Sequence, residues 1–228
     1  MTEVVYGIAT HRWPGWEKCV ESWKHTATSP HPSCTVYNEP VLEALQSVFT
    51  GSTEEVIAYI HDDVVISEHG WDVRVLKEFE DPTVGLVGFG GALRHGSPEM
   101  YRVRYAFTQL GRSKFLSNMR EAEIHGERFK GERDVAVLDG FAMFVRRSIL
   151  EKAGGWPLNT GINYFCYDMW LSCEVRRQGY RIRLVGVECD HLSGKTAGMI
   201  QLKDSHASAH RWLYDHSRDV LPFSVHGK

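Results

Sequence analysis

The sequence predicts an α/β fold, a doubly wound parallel sheet flanked by helices, on three observations. Short apolar runs rich in β-branched residues alternate with amphipathic stretches, the order that lays parallel strands side by side with helices packed across them. One of these runs, EEVIAYI at 54–60, is apolar without alternation toward its end, as a strand covered on both faces is. The 228 residues, 43% hydrophobic and 24% charged, suit one large domain, or one domain with a C-terminal extension, that buries its own core without disulfides.

Taken in order, residues 3–10 (EVVYGIAT) form the first strand, and Pro14 and Gly15 mark the loop after it. Residues 17–25 (EKCVESWKH) suit a helix with Cys19, Val20 and Trp23 on one face. SPHPS breaks that helix, CTVYN (34–38) is the second strand, and the following helix starts near Pro40 and stops near Gly51. The third strand, 54–60, runs straight into His61, Asp62 and Asp63. Residues 70–81 form an amphipathic helix with Val73, Leu76 and Phe79 spaced for burial, and 83–93 a strand followed by a Gly-rich bend. Residues 96–133 are polar, irregular and rich in Arg and Lys, and read as an excursion, either solvated or shaping a substrate site. Regular structure resumes over 134–156 as a strand and a helix ended by Gly154-Gly155. Residues 167–180 are a helix stopped by Gly179, 181–191 a strand ending in Asp190-His191, and the tail beyond 192 holds one more helix.

Composition narrows the functional classes. A formal net charge of −3 gives no global basic field for nucleic acid, although the stretch 102–133 permits a polyanionic acceptor. The five cysteines are odd in number and form no CxxC, which points to a reduced setting. No apolar stretch approaches the roughly 20 residues that span a bilayer, and the first strand begins too early to leave room for a targeting peptide. The expected location is cytoplasmic. The Gly-rich stretch after 84 contains no G-x-G-x-x-G, and SGKT at 193–196 lacks the earlier glycine of a P-loop, whose place is taken by Cys189.

In doubly wound sheets, ligands collect at the carboxyl ends of strands, where His61, Asp62 and Asp63 fall. Carboxylates there commonly only cap a loop. A strand as apolar as 54–60 and a second strand ending in His191 open the alternative of a cleft-facing cluster: if the two strand ends converge, Asp63 and His191 could share a divalent cation such as Mg²⁺ or Mn²⁺ and leave positions open for a diphosphate. Asp168, opening a helix, has two roles open to it: a charge favourable to the helix dipole, or a general base in the cleft.

The order of these pieces resembles the GT-A-fold glycosyltransferases, specifically the family 2-like group that uses nucleotide-sugars. VIAYIHDDVVI is similar to their DxD-type motif in a variant with histidine first, followed by Trp71. VLDGFAMFVRRSILEKAGGW resembles their acceptor-side segment, YDMWLSCEVRRQGYRIRLV the helix and strand that carry the catalytic carboxylate, and VECDH the strand that delivers the third metal ligand. Two positions depart from the pattern: His61 stands where an acidic residue is usual, and Tyr167-Asp168 stands where Glu-Asp is usual.

The resemblance implies a GT-A catalytic domain over 1–192, with a mixed, mainly parallel sheet, and an extension over 193–228 that acts as a lid. It implies a metal-dependent transferase, of hexosyl type, moving a sugar from a nucleoside-diphosphate-sugar, UDP being the commonest donor base, to an acceptor hydroxyl with inversion. Asp63 and His191 would hold Mn²⁺ or Mg²⁺, and Asp168 would be the base. His61 and Asp62 would contact the metal through water, the ribose or the donor sugar, and Asp139 and Gly140 would line the sugar and acceptor side. Asn38 would touch the nucleotide, and Lys195, Arg211 or Arg218 would close over the diphosphate, or else be surface charge. The acceptor stays open among a glycan, a lipid-linked sugar, a protein side chain and a hydroxylated nucleic-acid base. Two other classes fit the same residues: a non-catalytic sugar-nucleotide or glycan-binding protein, and a metal-dependent hydrolase using His61, Asp63, His191 and His206 or His210.

Overall fold

A computed structural model of the chain describes residues 3–11, 14–96, 115–120, 126–162, 164–192 and 203–225, with side chains from 208 onward in the last span. In chain order the strands are β1 (Val4–Thr10), β2 (Ser33–Tyr37), β3 (Val56–Ile60), β4 (Val64–Ile66), β5 (Val84–Gly88), β6 (Gly90–Ala92), β7 (Arg94–His95) and β8 (Phe115–Ser117). They continue with β9 (Glu127–Arg128), β10 (Glu132–Asp134), β11 (Val137–Leu138), β12 (Ala142–Arg146), β13 (Arg181–Val185), β14 (Cys189–His191) and β15 (Phe223–Ser224). The helices are α1 (Trp16–Thr26), α2 (Val41–Thr50), α3 (Trp71–Glu78), α4 (Arg147–Ala153), α5 (Tyr167–Arg177) and α6 (Lys203–His216).

The main sheet has seven strands in the order β10-β13-β5-β12-β3-β1-β2. Strands β2, β1, β3, β5 and β13 run one way, while β12 and β10 run against them, so the sheet is mixed and mainly parallel as expected. Strand β3 is buried along its whole length, and its side chains alternate between two cores: Ile57 and Tyr59 on one face, Val56, Ala58 and Ile60 on the other. Leu42 and Leu45 of α2, Ile149 and Leu150 of α4, Leu171 of α5 and Leu213 of α6 cover the first face. Val20 and Trp23 of α1 with Trp71 and Val75 of α3 cover the second. Helices on both faces explain why the central strands read as continuous apolar runs.

Several expectations need correction. Phe79 is buried and Leu76 packs against the core as expected, but Val73 is 54% exposed and α3 buries Trp71 and Val75, one helical turn apart. The segment 83–93 is two strands, because after Gly88 the chain leaves the main sheet and β6 joins a four-stranded sheet with β8, β9 and β11. The glycines of that bend serve packing: a Cβ on Gly90 would lie 2.5 Å from the Phe115 ring and 2.6 Å from the Phe141 ring. The described part of 96–133 contains short strands, with β8 buried against β6 and β10 forming the edge of the main sheet. The stretch 181–191 is also two strands, β13 in the main sheet and β14 paired with β4.

Among the described residues no helix is long and apolar enough to cross a membrane. All five cysteines are unpaired.

Candidate functional site

Three backbone features bring the polar residues together. After β3 the chain turns tightly through His61–Asp63 into β4, the turn closed by the Val64 N–H donating to the His61 carbonyl at 3.1 Å. Trp23 Nε1 anchors β4 by donating to the Val64 carbonyl at 2.6 Å. Strand β4 then pairs antiparallel with β14 in a register that sets His191 opposite Val64, and the Leu192 N–H donates to the Asp63 carbonyl at 2.9 Å. That register places His191 Nε2 3.2 Å from Asp63 Oδ1. On the other side, β12 pairs antiparallel with β3, Ala142 opposite Ile60, so Asp139-Gly140-Phe141 passes alongside His61. The His61 N–H donates to the Phe141 carbonyl at 2.9 Å, and the Phe141 ring stacks on His191 with centroids 5.1 Å apart.

His61, Asp63 and His191 thereby offer one ligand atom each, all within 4.8 Å of one another. Bonds of about 2.1 Å to a shared cation put two ligand atoms about 3 Å apart at a right angle and about 4 Å apart when opposed. The observed separations are 3.2 Å for Asp63–His191 and 4.0 Å for Asp63 Oδ1–His61 Nδ1. Asp63 is buried, and among the described residues its Oδ1 has His191 Nε2 as a polar neighbour at 3.2 Å without a hydrogen bond of good geometry. A buried carboxylate oxygen left without a donor is costly unless a cation completes it. Two imidazole nitrogens and one carboxylate oxygen fit a divalent cation of the Mn²⁺ type.

The electrostatics agree. Burial and the neighbouring His191 pull the His61 imidazole down to about 4, so it is a neutral ring with a lone pair to offer. Burial works against the charge on Asp63, but the close His191, with His61 behind it, holds the carboxyl below its ordinary range.

Asp168 occupies the first turn of α5, directly after Cys166, whose φ of 66° is a strained left-handed conformation for a side-chain-bearing residue. Its Oδ1 accepts the Met169 N–H at 2.7 Å and its Oδ2 the Gly140 N–H at 3.0 Å. Burial first, and the adjacent Asp139 second, push its carboxyl up to about 7. The group therefore serves as the helix's N-terminal charge and is also poised to take up a proton near neutrality. Gly140 has a packing reason to be glycine: a Cβ there would fall 2.3 Å from Tyr167 Oη.

Asp62 sits in the same turn, partly buried. Asn38 ends β2 at the same edge of the sheet, but two strands out from β3, with its side chain exposed and its N–H on the Thr10 carbonyl. Lys195 and the side chain of His206 lie outside the described residues. Arg211 is exposed on α6, and Arg218 pairs with Asp215 at 2.5 Å. His210 is buried in α6 close enough to His95 to depress its basicity, and does not join the His61–Asp63–His191 group. Two site residues escape sequence reasoning. Tyr167 looks only like a missing carboxylate, yet its hydroxyl lies 2.6 Å from His61 Nε2. Phe141 looks like core, and its sole signal is adjacency to Asp139-Gly140.

The model of a glycosyltransferase-like family matches residues 32–213. A search of curated proteins finds no match. Among solved structures, the chain is similar to the mannosyltransferase PcManGT from Pyrobaculum calidifontis, in complex with GDP-Man and Mn²⁺, with a TM-score of 0.55 at 15% identity over 96% of this chain and 74% of that one. It is also similar to GalNAc-T7 with UDP, GalNAc and Mn²⁺, with a TM-score of 0.60 at 10% identity over 84% of this chain and 44% of that one. At these identities the likeness establishes the GT-A fold, and this chain spans under half of the GalNAc-T7 chain.

Proposed function

This chain belongs to the glycosyltransferase-like family, and from that premise we propose that it moves a sugar from a nucleoside-diphosphate-sugar to an acceptor hydroxyl with the help of a divalent cation. One observation carries the reading: His61, Asp63 and His191 converge at the carboxyl edge of the sheet, with Asp168 tied to the same Asp139–Phe141 segment. Both structural neighbours hold Mn²⁺ with a nucleotide or nucleotide-sugar, which supports the same chemistry here.

Asp63, His191 and His61 would hold the cation. When bound, it supplies positive charge against the charge that develops on the leaving nucleoside diphosphate. Asp168 accepts the proton of the acceptor hydroxyl as that oxygen forms its bond to the anomeric carbon. The bond from that carbon to the diphosphate oxygen breaks, and the nucleoside diphosphate leaves with the electron pair. Attack from the face opposite the leaving group inverts the anomeric carbon. Burial first, and Asp139 beside it second, raise the basicity of Asp168 and suit it to proton uptake near neutral pH. A UDP- or GDP-hexose is the donor class, and Asn38, at the same sheet edge, belongs to the nucleotide side.

The test is release of nucleoside diphosphate from a panel of nucleotide-sugars in Mn²⁺, with and without EDTA. Release that stops with EDTA and returns with added Mn²⁺ is expected. Nucleotide binding by calorimetry with no turnover across the panel would instead identify a non-catalytic sugar-nucleotide-binding protein.

A further inference from the structure

We infer that Tyr167 is a positioning residue for the cation site: its hydroxyl oxygen accepts the Nε2–H of His61, which leaves the Nδ1 lone pair of that ring turned toward Asp63 and His191 as the third ligand. The inference rests on reading His61, Asp63 and His191 as a cation site, and it adds how the first of the three comes to be a ligand.

The two nitrogens of His61 face different partners. Nε2 lies 2.6 Å from Tyr167 Oη, and Nδ1 lies 4.0 Å from Asp63 Oδ1. A neutral imidazole carries one N–H, and which nitrogen bears it is set by the hydrogen bond the other groups offer. With the proton on Nδ1, that N–H would point across 4.0 Å, too far for a hydrogen bond to Asp63, and no lone pair would remain for a cation. The short contact to Tyr167 suits either tautomer, the hydroxyl donating to a bare Nε2 or accepting from Nε2–H, and only the second leaves Nδ1 free to ligate.

The position of the tyrosine oxygen is fixed by packing. Tyr167 is buried in the core cluster, its ring edge-on to Trp156 at 6.3 Å. Its hydroxyl occupies the space that a side chain at position 140 would need, since a Cβ there would lie 2.3 Å away. The other members are held as firmly: the His61 backbone on the Phe141 carbonyl, and the His191 ring on the Phe141 ring. His61 and Tyr167 are therefore partners across 106 residues. A set of two imidazoles and one carboxylate prefers Mn²⁺ to Mg²⁺, which binds through oxygen and keeps its waters.

The experiment uses the full chain without donor. Mn²⁺ affinity is measured by the electron paramagnetic resonance signal of free Mn²⁺ for the wild type, Tyr167→Phe, His61→Ala and the double variant, with Mg²⁺ as competitor. Outer-shell partners of metal ligands are typically worth about 10- to 100-fold in affinity, so Tyr167→Phe is expected to weaken binding by about that factor. The double variant is expected to bind no more weakly than His61→Ala alone, the non-additivity of residues acting as one unit. A wild type that binds Mn²⁺ while Tyr167→Phe binds it equally well, or loses further affinity in the His61→Ala background, overturns the inference and leaves the transfer reading standing. A wild type that binds no Mn²⁺ overturns both. Imidazole ¹⁵N resonance of the unmutated protein gives a check free of folding defects: Nε2–H on His61 is expected, and Nδ1–H contradicts the inference.

Discussion

Gly140 donates its backbone N–H to Asp168 Oδ2 at 3.0 Å, joining the segment that enters β12 to the first turn of α5. The bond fixes where the carboxylate points, because the opposite oxygen is held by the Met169 N–H at 2.7 Å. Two N–H donors at a helix N-terminus ordinarily keep a carboxyl acidic. Here burial and the Asp139 charge outweigh them and carry it to about 7.

The first prediction concerns activity. With Asp168 as base, kcat/KM falls tenfold per pH unit below about 7 and levels above it. Asp168→Asn lowers kcat by about 10²- to 10⁴-fold, the usual contribution of a general base, and leaves nucleotide affinity within a few-fold. A flat acid limb in wild-type pH–rate profiles contradicts the assignment.

The same group makes a stability prediction with a definite sign. Asp168 takes up its proton at about 7 in the folded chain and near 3.8 when unfolded, so the folded state binds more protons between those values. Its contribution to stability is then largest at low pH and declines as pH rises toward 7. Thermal unfolding of wild type and Asp168→Ala is expected to show a more favourable wild-type difference at pH 5 than at pH 8. The reverse order would refute the raised value.

Gly140→Ala tests the packing around Tyr167. The added methyl falls 2.3 Å from Tyr167 Oη, against a buried ring that has little freedom to retreat. Overpacking of this kind costs about 1–3 kcal/mol, read as a lower Tm. Mn²⁺ affinity is expected to fall with it, as the hydroxyl is driven off His61. An unchanged Tm would mean the loop relaxes freely.

A fourth prediction lies away from the cleft. His95 is fully buried, receives Arg176 Nη2 at 2.8 Å on its Nδ1, and is held well below its ordinary value by burial, Arg176 and His210. A histidine kept neutral in this way supports the fold above its unfolded value of 6.5, and that support is lost as pH falls below it. Strand β7, which carries His95, pairs with β15. Acid destabilisation between pH 7 and 5 should be smaller in His95→Gln than in wild type, measured by urea unfolding at each pH.

The alternation of strands and helices is legible in the sequence because apolar runs covered on both faces have a distinctive composition. The cluster His61-Asp62-Asp63 is legible because charge that ends an apolar run falls at the carboxyl edge of the sheet, where ligands collect. His191 is legible as a second strand end, but its meeting with Asp63 is not. That depends on β4, a three-residue strand, pairing with β14 more than a hundred residues later, a long-range register no local pattern encodes. Phe115–Ser117 is hidden for a similar reason: three residues inside a polar stretch are too few to show a period. Val73 satisfies the helical spacing for burial, but Trp71, the larger side chain, takes the core and rotates the helix accordingly. Tyr167 reads as an absence until its hydroxyl is placed on His61.

The most direct measurement is the Tm shift produced by UDP or GDP, with Mn²⁺ or with EDTA, in wild type and Asp63→Ala. A ligand at a hundred times its dissociation constant stabilises by about 2.7 kcal/mol, which for a chain of this size is a rise of roughly 5–10 °C. The wild type is predicted to show that rise only when Mn²⁺ is present, and Asp63→Ala to show none. A shift of equal size in EDTA, or one that survives in Asp63→Ala, would contradict the metal-held diphosphate site.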